Sequence, residues 1–277
     1  MQVTTINGIR THLAVSGEPE GTPLVFANSL GTDFRIWDRV LPLLPPGLRI
    51  LRYDMRGHGL SDAPAGDYNM GDLVADAAAL MEATGFRDAV FVGLSIGGIV
   101  AQGLAAERPD LVRAAVLSNT AARIGTEESW RDRIATVRAE GIEAIADRVM
   151  QLWFTRAFHE RRAEELALWR HMMTRTPVDG YLGCCAAVAG SDLRESTAGL
   201  RQPVLAIVGD ADGSTPPDLV RETAESIPGA RFEIVRGAGH IPCVEQPEAT
   251  ARLIGSFLDA NGLLQRRGYR SALPGSA

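Results

Sequence analysis

A chain of 277 residues, 45% hydrophobic and 22% charged, is long enough for one large α/β unit with an insertion and can bury a sizeable core. Its formal net charge of −6 argues against general affinity for nucleic acid or an anionic membrane surface, and no stretch approaches the roughly eighteen uninterrupted apolar residues of a membrane span. The basic residues are all arginine, which excludes Schiff-base and P-loop lysine chemistry outright.

The N-terminal stretch "MQVTTINGIRTHLAV" has no basic segment leading into an apolar run with a small-residue cleavage site, so the expected location is cytoplasmic. Within it Asn7-Gly8 separates two alternating runs, the pattern of a β-hairpin. Short apolar, β-branched runs follow at "PLVFAN" (23–28), "LRILRYD" (48–54), "AVFVGL" (89–94), "AAVLSN" (114–119), "VLAIVGD" (204–210) and "RFEIV" (231–235). Nearly continuous apolar strands separated by helical stretches predict an α/β fold with a mostly parallel, doubly wound sheet covered on both faces. Between Asn119 and about Ser196 the strand signal gives way to helical periodicity that contains three of the four tryptophans. The expected organisation is therefore a core of residues 1–119 and 197–261, a helical lid at 120–196, and a flexible Gly-, Ser- and Arg-rich tail at 262–277. Cys184, Cys185 and Cys243 form no C-x-x-C pair and are odd in number, which fits reduced thiols and implies neither a zinc site nor a disulfide framework. No metal or organic cofactor is indicated.

In a parallel sheet, reactive groups belong on the loops that leave the carboxyl ends of strands. Ser95 occupies such a place in "FVGLSIGG" (91–98), at a strand-to-helix junction, with Gly93 and Gly97 at the spacing of the G-x-S-x-G nucleophile elbow. After "VLAIVGD" the loop "ADGSTPP" offers two acids, Asp210 and Asp212, and after "RFEIV" the loop "RGAGHIPCVEQPE" carries His240. A serine hydroxyl is a poor nucleophile until a neutral imidazole takes its proton, and a carboxylate then orients and stabilises the imidazolium. The expected nucleophile, base and acid are Ser95, His240 and Asp212, the last preferred because it lies further out on its loop than Asp210. Capping of the following helix is the competing role for Asp212. Of the other histidines, only His58 in "RGHG" also follows a strand end, and turn packing is its alternative role. The oxyanion hole requires two backbone N–H groups. Ile96, directly after the nucleophile, would give one, and Leu30, in the loop Ser29-Leu30-Gly31-Thr32, the other.

The segments "FANSLGTDFRIWD" (26–38), "RYDMRGHGLSDAP" (52–64), "GLSIGG" (93–98), "SNTAARIG" (118–125), "RVMQLWFT" (148–155), "GYLGCCAA" (180–187) and "GHIPCVEQPE" (239–248) together resemble the 3-oxoadipate enol-lactonases. The resemblance runs over roughly residues 10 to 260, and "NSLGTD", "NTAARIG" and "GYLGCCAA" are its narrow parts. It implies the α/β-hydrolase fold, the triad Ser95, Asp212 and His240, the oxyanion loop Ser29-Leu30-Gly31, and opening of 3-oxoadipate enol-lactone to 3-oxoadipate in the catabolism of aromatic compounds by way of protocatechuate or catechol. Ile96 stands where that family often has methionine, a change that touches pocket shape and leaves the backbone donor in place. A small anionic lactone needs a local cation, and Arg131, Arg133, Arg138 and Arg156 lie near Trp130 and Trp153 in the insertion. Arg133 falls one helical turn after Trp130 and shares its face, so Trp130, Arg133 and Trp153 are the expected substrate-binding residues. A carboxylesterase or cofactor-free perhydrolase on another small ester would use the same triad. So would a carbon–carbon bond hydrolase, and a non-catalytic small-molecule receptor is the reading from a different class. Ser95 itself excludes an aspartyl nucleophile at the elbow.

Overall fold

The computed structural model describes residues 1–264; most of the expected tail, residues 265–277, lies outside the described residues. The chain starts with β1 (Gln2–Ile6) and β2 (Ile9–Gly17), an antiparallel hairpin closed by Asn7 and Gly8. Both turn residues have positive φ, 46° and 79°, as the Asn-Gly turn demands. β3 (Thr22–Ala27), β4 (Leu48–Tyr53), β5 (Ala89–Leu94), β6 (Val112–Ser118), β7 (Val204–Gly209) and β8 (Arg231–Val235) complete one sheet in the order β1-β2-β4-β3-β5-β6-β7-β8. β2 joins β4 antiparallel, and every pair from β4 through β8 is parallel. β5 and β7 are buried at every position, which is why their sequences are apolar runs without alternation; β8, at the edge, is largely open.

α1 (Met70–Thr84) begins at a reciprocal Asn69–Asp72 capping box and ends at Gly85 in the left-handed conformation. α2 (Ile96–Glu107) follows β5 without a linker and is almost wholly buried between the sheet and its neighbours. Between β6 and β7 there are only helices: α3 (Glu127–Glu140), α4 (Glu143–Trp153), α5 (Arg156–Arg161), α6 (Ala163–Thr174), α7 (Val178–Ala189) and α8 (Arg194–Ala198). α3 packs on α4 and α7, and α4 on α6, whereas α8 rests on α2 and on α9 (Pro217–Ser226). The short α10 (Pro242–Glu245) and the longer α11 (Pro247–Ala260) follow β8. Among the described residues no helix is long and apolar enough to cross a membrane, and Cys184, Cys185 and Cys243 are buried free thiols.

Strand register positions the site. Ala27 lies opposite Gly93, Leu94 opposite Ser118, Ser118 opposite Ile207, and Gly209 opposite Val235. The carboxyl ends of β3, β5, β6, β7 and β8 are therefore level, and the loops that leave them share one edge of the sheet.

Candidate active site

Ser95 stands between the last residue of β5 and the first of α2 with φ 56° and ψ −118°, a conformation that L-residues avoid. Its surroundings fix it there: Ser95 N–H donates to Ser118 O at 2.9 Å, while Ser95 O accepts from Thr120 Oγ1 at 2.7 Å and from Gly98 N–H at 2.8 Å. The flanking glycines are a steric requirement. A Cβ on Gly93 would collide with Gly97 O, and one on Gly97 would come within 2.7 Å of Asn28 O. The sharp turn leaves the Ser95 side chain part-exposed at the floor of a cavity of about 360 Å³, where its hydroxyl has no hydrogen-bond partner among the described residues.

Asp212 and His240 arrive on the loops after β7 and β8. His240 Nδ1 lies 3.0 Å from each Asp212 carboxylate oxygen, and both residues are buried. With an ionised carboxylate as partner, Nδ1 carries the proton and Nε2 remains as the acceptor. The carboxylate also accepts from Ser214 N–H at 2.7 Å, Thr215 N–H at 3.0 Å, Thr215 Oγ1 at 2.7 Å and Asn119 Nδ2 at 2.8 Å. Burial opposes its ionisation, yet the His240 ring and the Thr215 donors outweigh burial and hold the carboxyl below its ordinary range. Asn119 also donates to Gly239 O at 3.2 Å, so this residue at the end of β6, with φ 49°, ties the Asp212 loop to the His240 loop. Sequence reading missed Asn119; the available signal was a polar side chain at a strand's carboxyl end.

The competing residues have other partners. Asp210 accepts the N–H groups of Gly237 and Ala238 at 2.8 and 3.4 Å. Asp212 binds the backbone of its own loop, and α9 starts only at Pro217, so it does not cap that helix. His58 is buried, with Nε2 accepting from Gly31 N–H at 2.8 Å and Nδ1 directed at Arg56 O at 3.2 Å. Burial pushes its pKa down, against the weaker pull of the Arg56 carbonyl.

The loop after β3 is held on both sides of Leu30. Ser29 N–H donates to Thr32 Oγ1 at 3.0 Å, Gly31 N–H to His58, and Asn28 Nδ2 to Ser29 O at 3.2 Å and to Thr32 O. Leu30 N–H is left without a partner among the described residues, as is Ile96 N–H at the positive end of α2, and both residues line the cavity with Ser95. Two spare donors beside a serine can stabilise an oxyanion.

The insertion supplies most of the remaining walls. Trp130 of α3 and Trp153 of α4 line the cavity with further apolar residues of α4 and α7, including Ile145, Val149 and Val188. The polar lining includes Asp132, Arg133 and Arg148. The Arg133 guanidinium lies 4.8 Å from the Trp130 ring centre, and neither Arg133 nor Arg148 forms an ion pair among the described residues. Arg131 and Arg156 instead project outward, paired with Glu127 and Glu160, and Arg138 is exposed and outside the lining. Arg148 went unnoticed in the sequence because only the packing of α4 against α3 brings it to the cavity.

A family model for the alpha/beta hydrolase fold matches residues 22–247. The chain is 33% identical over 245 residues to 3-oxoadipate enol-lactonase 2 of Acinetobacter baylyi, covering 88% of this chain and 91% of that protein. It is 28% identical to a non-heme chloroperoxidase of Streptomyces lividans over 89% of this chain and 95% of the other. Among solved structures, the enol-lactonase from Burkholderia xenovorans LB400 superposes with a TM-score of 0.90 at 38% identity, covering 93% of this chain and all of that one.

Proposed function

The chain belongs to the α/β-hydrolase fold family and is a hydrolase, and on that premise we propose that it opens 3-oxoadipate enol-lactone to 3-oxoadipate through a serine acyl-enzyme. The observation that carries the reading is a pair of arginines, Arg133 and Arg148, free of ion pairs in a mostly apolar cavity that also holds Ser95 and His240. Such a wall favours a small substrate with a free carboxylate. The similarity to enol-lactonases over nearly the whole chain supports it from a separate direction.

In this mechanism Ser95 Oγ attacks the ring carbonyl as its proton passes to His240 Nε2, and Asp212 stabilises the imidazolium. The tetrahedral oxyanion is met by the N–H groups of Leu30 and Ile96. Collapse breaks the ring C–O bond and expels an enolate, which takes up the proton held on His240 Nε2, directly or through solvent, becoming the ketone and leaving the imidazole neutral for the second half. An enolate leaves more easily than an ordinary alkoxide, so this proton transfer need not accompany C–O cleavage. Water, deprotonated by His240, then attacks the acyl-enzyme and frees the new carboxylate with Ser95 restored. Trp130, Arg133 and Trp153 hold the substrate. Similarity to the Streptomyces chloroperoxidase supports a second reading, a carboxylesterase or cofactor-free perhydrolase using the same triad on another small ester.

A spectrophotometric assay with enol-lactone generated in situ, comparing wild type with Ser95→Ala, tests both. Fast hydrolysis lost in the variant supports the lactonase. Slow turnover of the enol-lactone beside rapid cleavage of a simple ester would retain the triad and transfer the assignment to the second reading.

A further inference from the structure

α4 ends at Trp153, and the last carbonyls of any helix need partners from outside it. Here the two loops that carry the acid and the base provide them. Leu152 O accepts from Gly213 N–H at 3.2 Å, next to Asp212, and Trp153 O accepts from His240 N–H itself at 2.8 Å. The contact is close enough that a Cβ on Gly239 would collide with Trp153 O and stand 2.9 Å from its carbonyl carbon. The same helix end presents Leu152 and Trp153 to the cavity.

One buried carboxylate fastens this junction. Glu245, at the end of α10 and 9% exposed, accepts from Gly239 N–H at 2.6 Å through Oε2. Through Oε1 it accepts from Thr155 N–H at 3.1 Å and from Thr155 Oγ1 at 2.7 Å, just past the end of α4. One oxygen thus holds the base loop, one residue before His240, and the other holds the insertion. Burial pushes the Glu245 carboxyl up, and the Thr155 and Gly239 donors work against that rise. An amide cannot reproduce the arrangement, because its NH2 end would face either Gly239 N–H or Thr155 N–H with no lone pair to accept.

We propose that Glu245 is a positioning residue for His240, clamping Gly239 to Thr155 and so fixing the imidazole relative to both Ser95 and the cavity wall formed by α4. The proposal rests on His240 being the base for Ser95. It does not depend on which ester is the substrate. Glu245 touches no reacting atom; it acts through the base loop.

The test uses the rate at which a fluorophosphonate labels the active serine, a reaction that needs the base but not the lactone. Wild type should be labelled and Ser95→Ala should not; labelling that persists in Ser95→Ala would remove the triad reading on which the proposal rests. Glu245→Gln should be labelled at least about tenfold more slowly per folded molecule, with kcat for the protein's ester or lactone substrate falling by a larger factor than KM changes, because misplacement of a catalytic group costs rate more than binding. Thr155→Val should be slowed less, and Thr155→Ser, which keeps the hydroxyl, should return to the wild-type rate. Wild-type labelling by folded Glu245→Gln would overturn the proposal, as would a slowing fully accounted for by a smaller folded fraction. If Glu245→Gln does not fold, the Thr155 pair decides: equal rates for the Val and Ser variants would overturn it.

Discussion

The backbone N–H of Gly31 donates to Nε2 of His58 across 2.8 Å, which makes the Arg-Gly-His-Gly turn the anchor of the loop that presents Leu30. Because Nε2 accepts, the ring is neutral with its proton on Nδ1, toward Arg56 O. Removing the ring leaves the Gly31 N–H unpaired and releases the loop beside Leu30, the proposed oxyanion donor. His58→Ala should lower kcat by about ten- to a hundredfold, less than outright loss of an oxyanion donor, with little change in KM. His58→Gln, whose amide oxygen can reach Gly31, should recover much of the loss. Steady-state kinetics of the two variants checks this, and a wild-type kcat in His58→Ala would show that the loop holds without its anchor.

The same residue sets a pH dependence of stability. In the unfolded chain an imidazole titrates near 6.5, whereas burial holds folded His58 below that. Above both values the ring is neutral in either state and contributes no difference. As pH falls through 6.5 the unfolded state takes up a proton first, so stability declines by up to about 1.4 kcal/mol per pH unit until the folded ring also titrates. Asp212 acts lower on the scale: its depressed carboxyl contributes stability above the unfolded carboxylate value of 3.8, and that stability is lost as pH falls through the folded value. Urea midpoints at about pH 7.5 and 5.5 separate the two residues, since only the His58 contribution changes in that window. The drop should be smaller in His58→Gln than in wild type, and an equal drop would assign it to another group.

The sequence made some parts of this site legible for reasons that are local. β5 and β7 read as strands because burial on both faces removes every reason for a polar residue, and Ser95 is bracketed by glycines because no Cβ fits on either side of it. Asp212 and His240 could be found from loop order alone. What escaped is tertiary. Glu245 sits in "VEQPE" with no local feature that singles it out, and only the fold brings it to Thr155, 90 residues earlier. Asn119 meets Asp212 across 93 residues, and Arg148 reaches the cavity only when α3 and α4 pack together. His58 competes for the role of base in the sequence because it follows a strand; its hydrogen bond to Gly31, 27 residues away, has no local signature.

Asp212→Asn should cost far more than its near-identical shape implies. The carboxylate accepts from Ser214, Thr215, Asn119 and His240, and an amide would turn its NH2 group toward some of these donors. The imidazole would lose the partner that keeps its proton on Nδ1. A fall in kcat on the order of 10³- to 10⁴-fold is expected from the behaviour of triads in general. Fluorophosphonate labelling should slow in parallel. A variant within about tenfold of wild type would mean that Asp212 only holds its loop together.

Arg133 and Arg148 make the substrate's charge testable through the choice of substrate. If Arg133 meets a carboxylate, Arg133→Gln should raise KM for the enol-lactone by about tenfold or more, the size of a lost charge-assisted hydrogen bond, with kcat less affected. Arg148, which is more exposed, should give the same sign with a smaller factor. A neutral aryl ester of similar size supplies the control. Its KM should stay within about twofold in both variants, because uniform binding of an uncharged ligand gains little from a cation. Added salt should weaken binding of the enol-lactone more than that of the ester. Arg133 also packs against the Trp130 ring, so its removal could instead deform the wall. In that case KM for the neutral ester would rise as much as that for the lactone. Equal effects on both substrates would therefore assign Arg133 to packing and leave Arg148 as the cavity's remaining cation for a carboxylate.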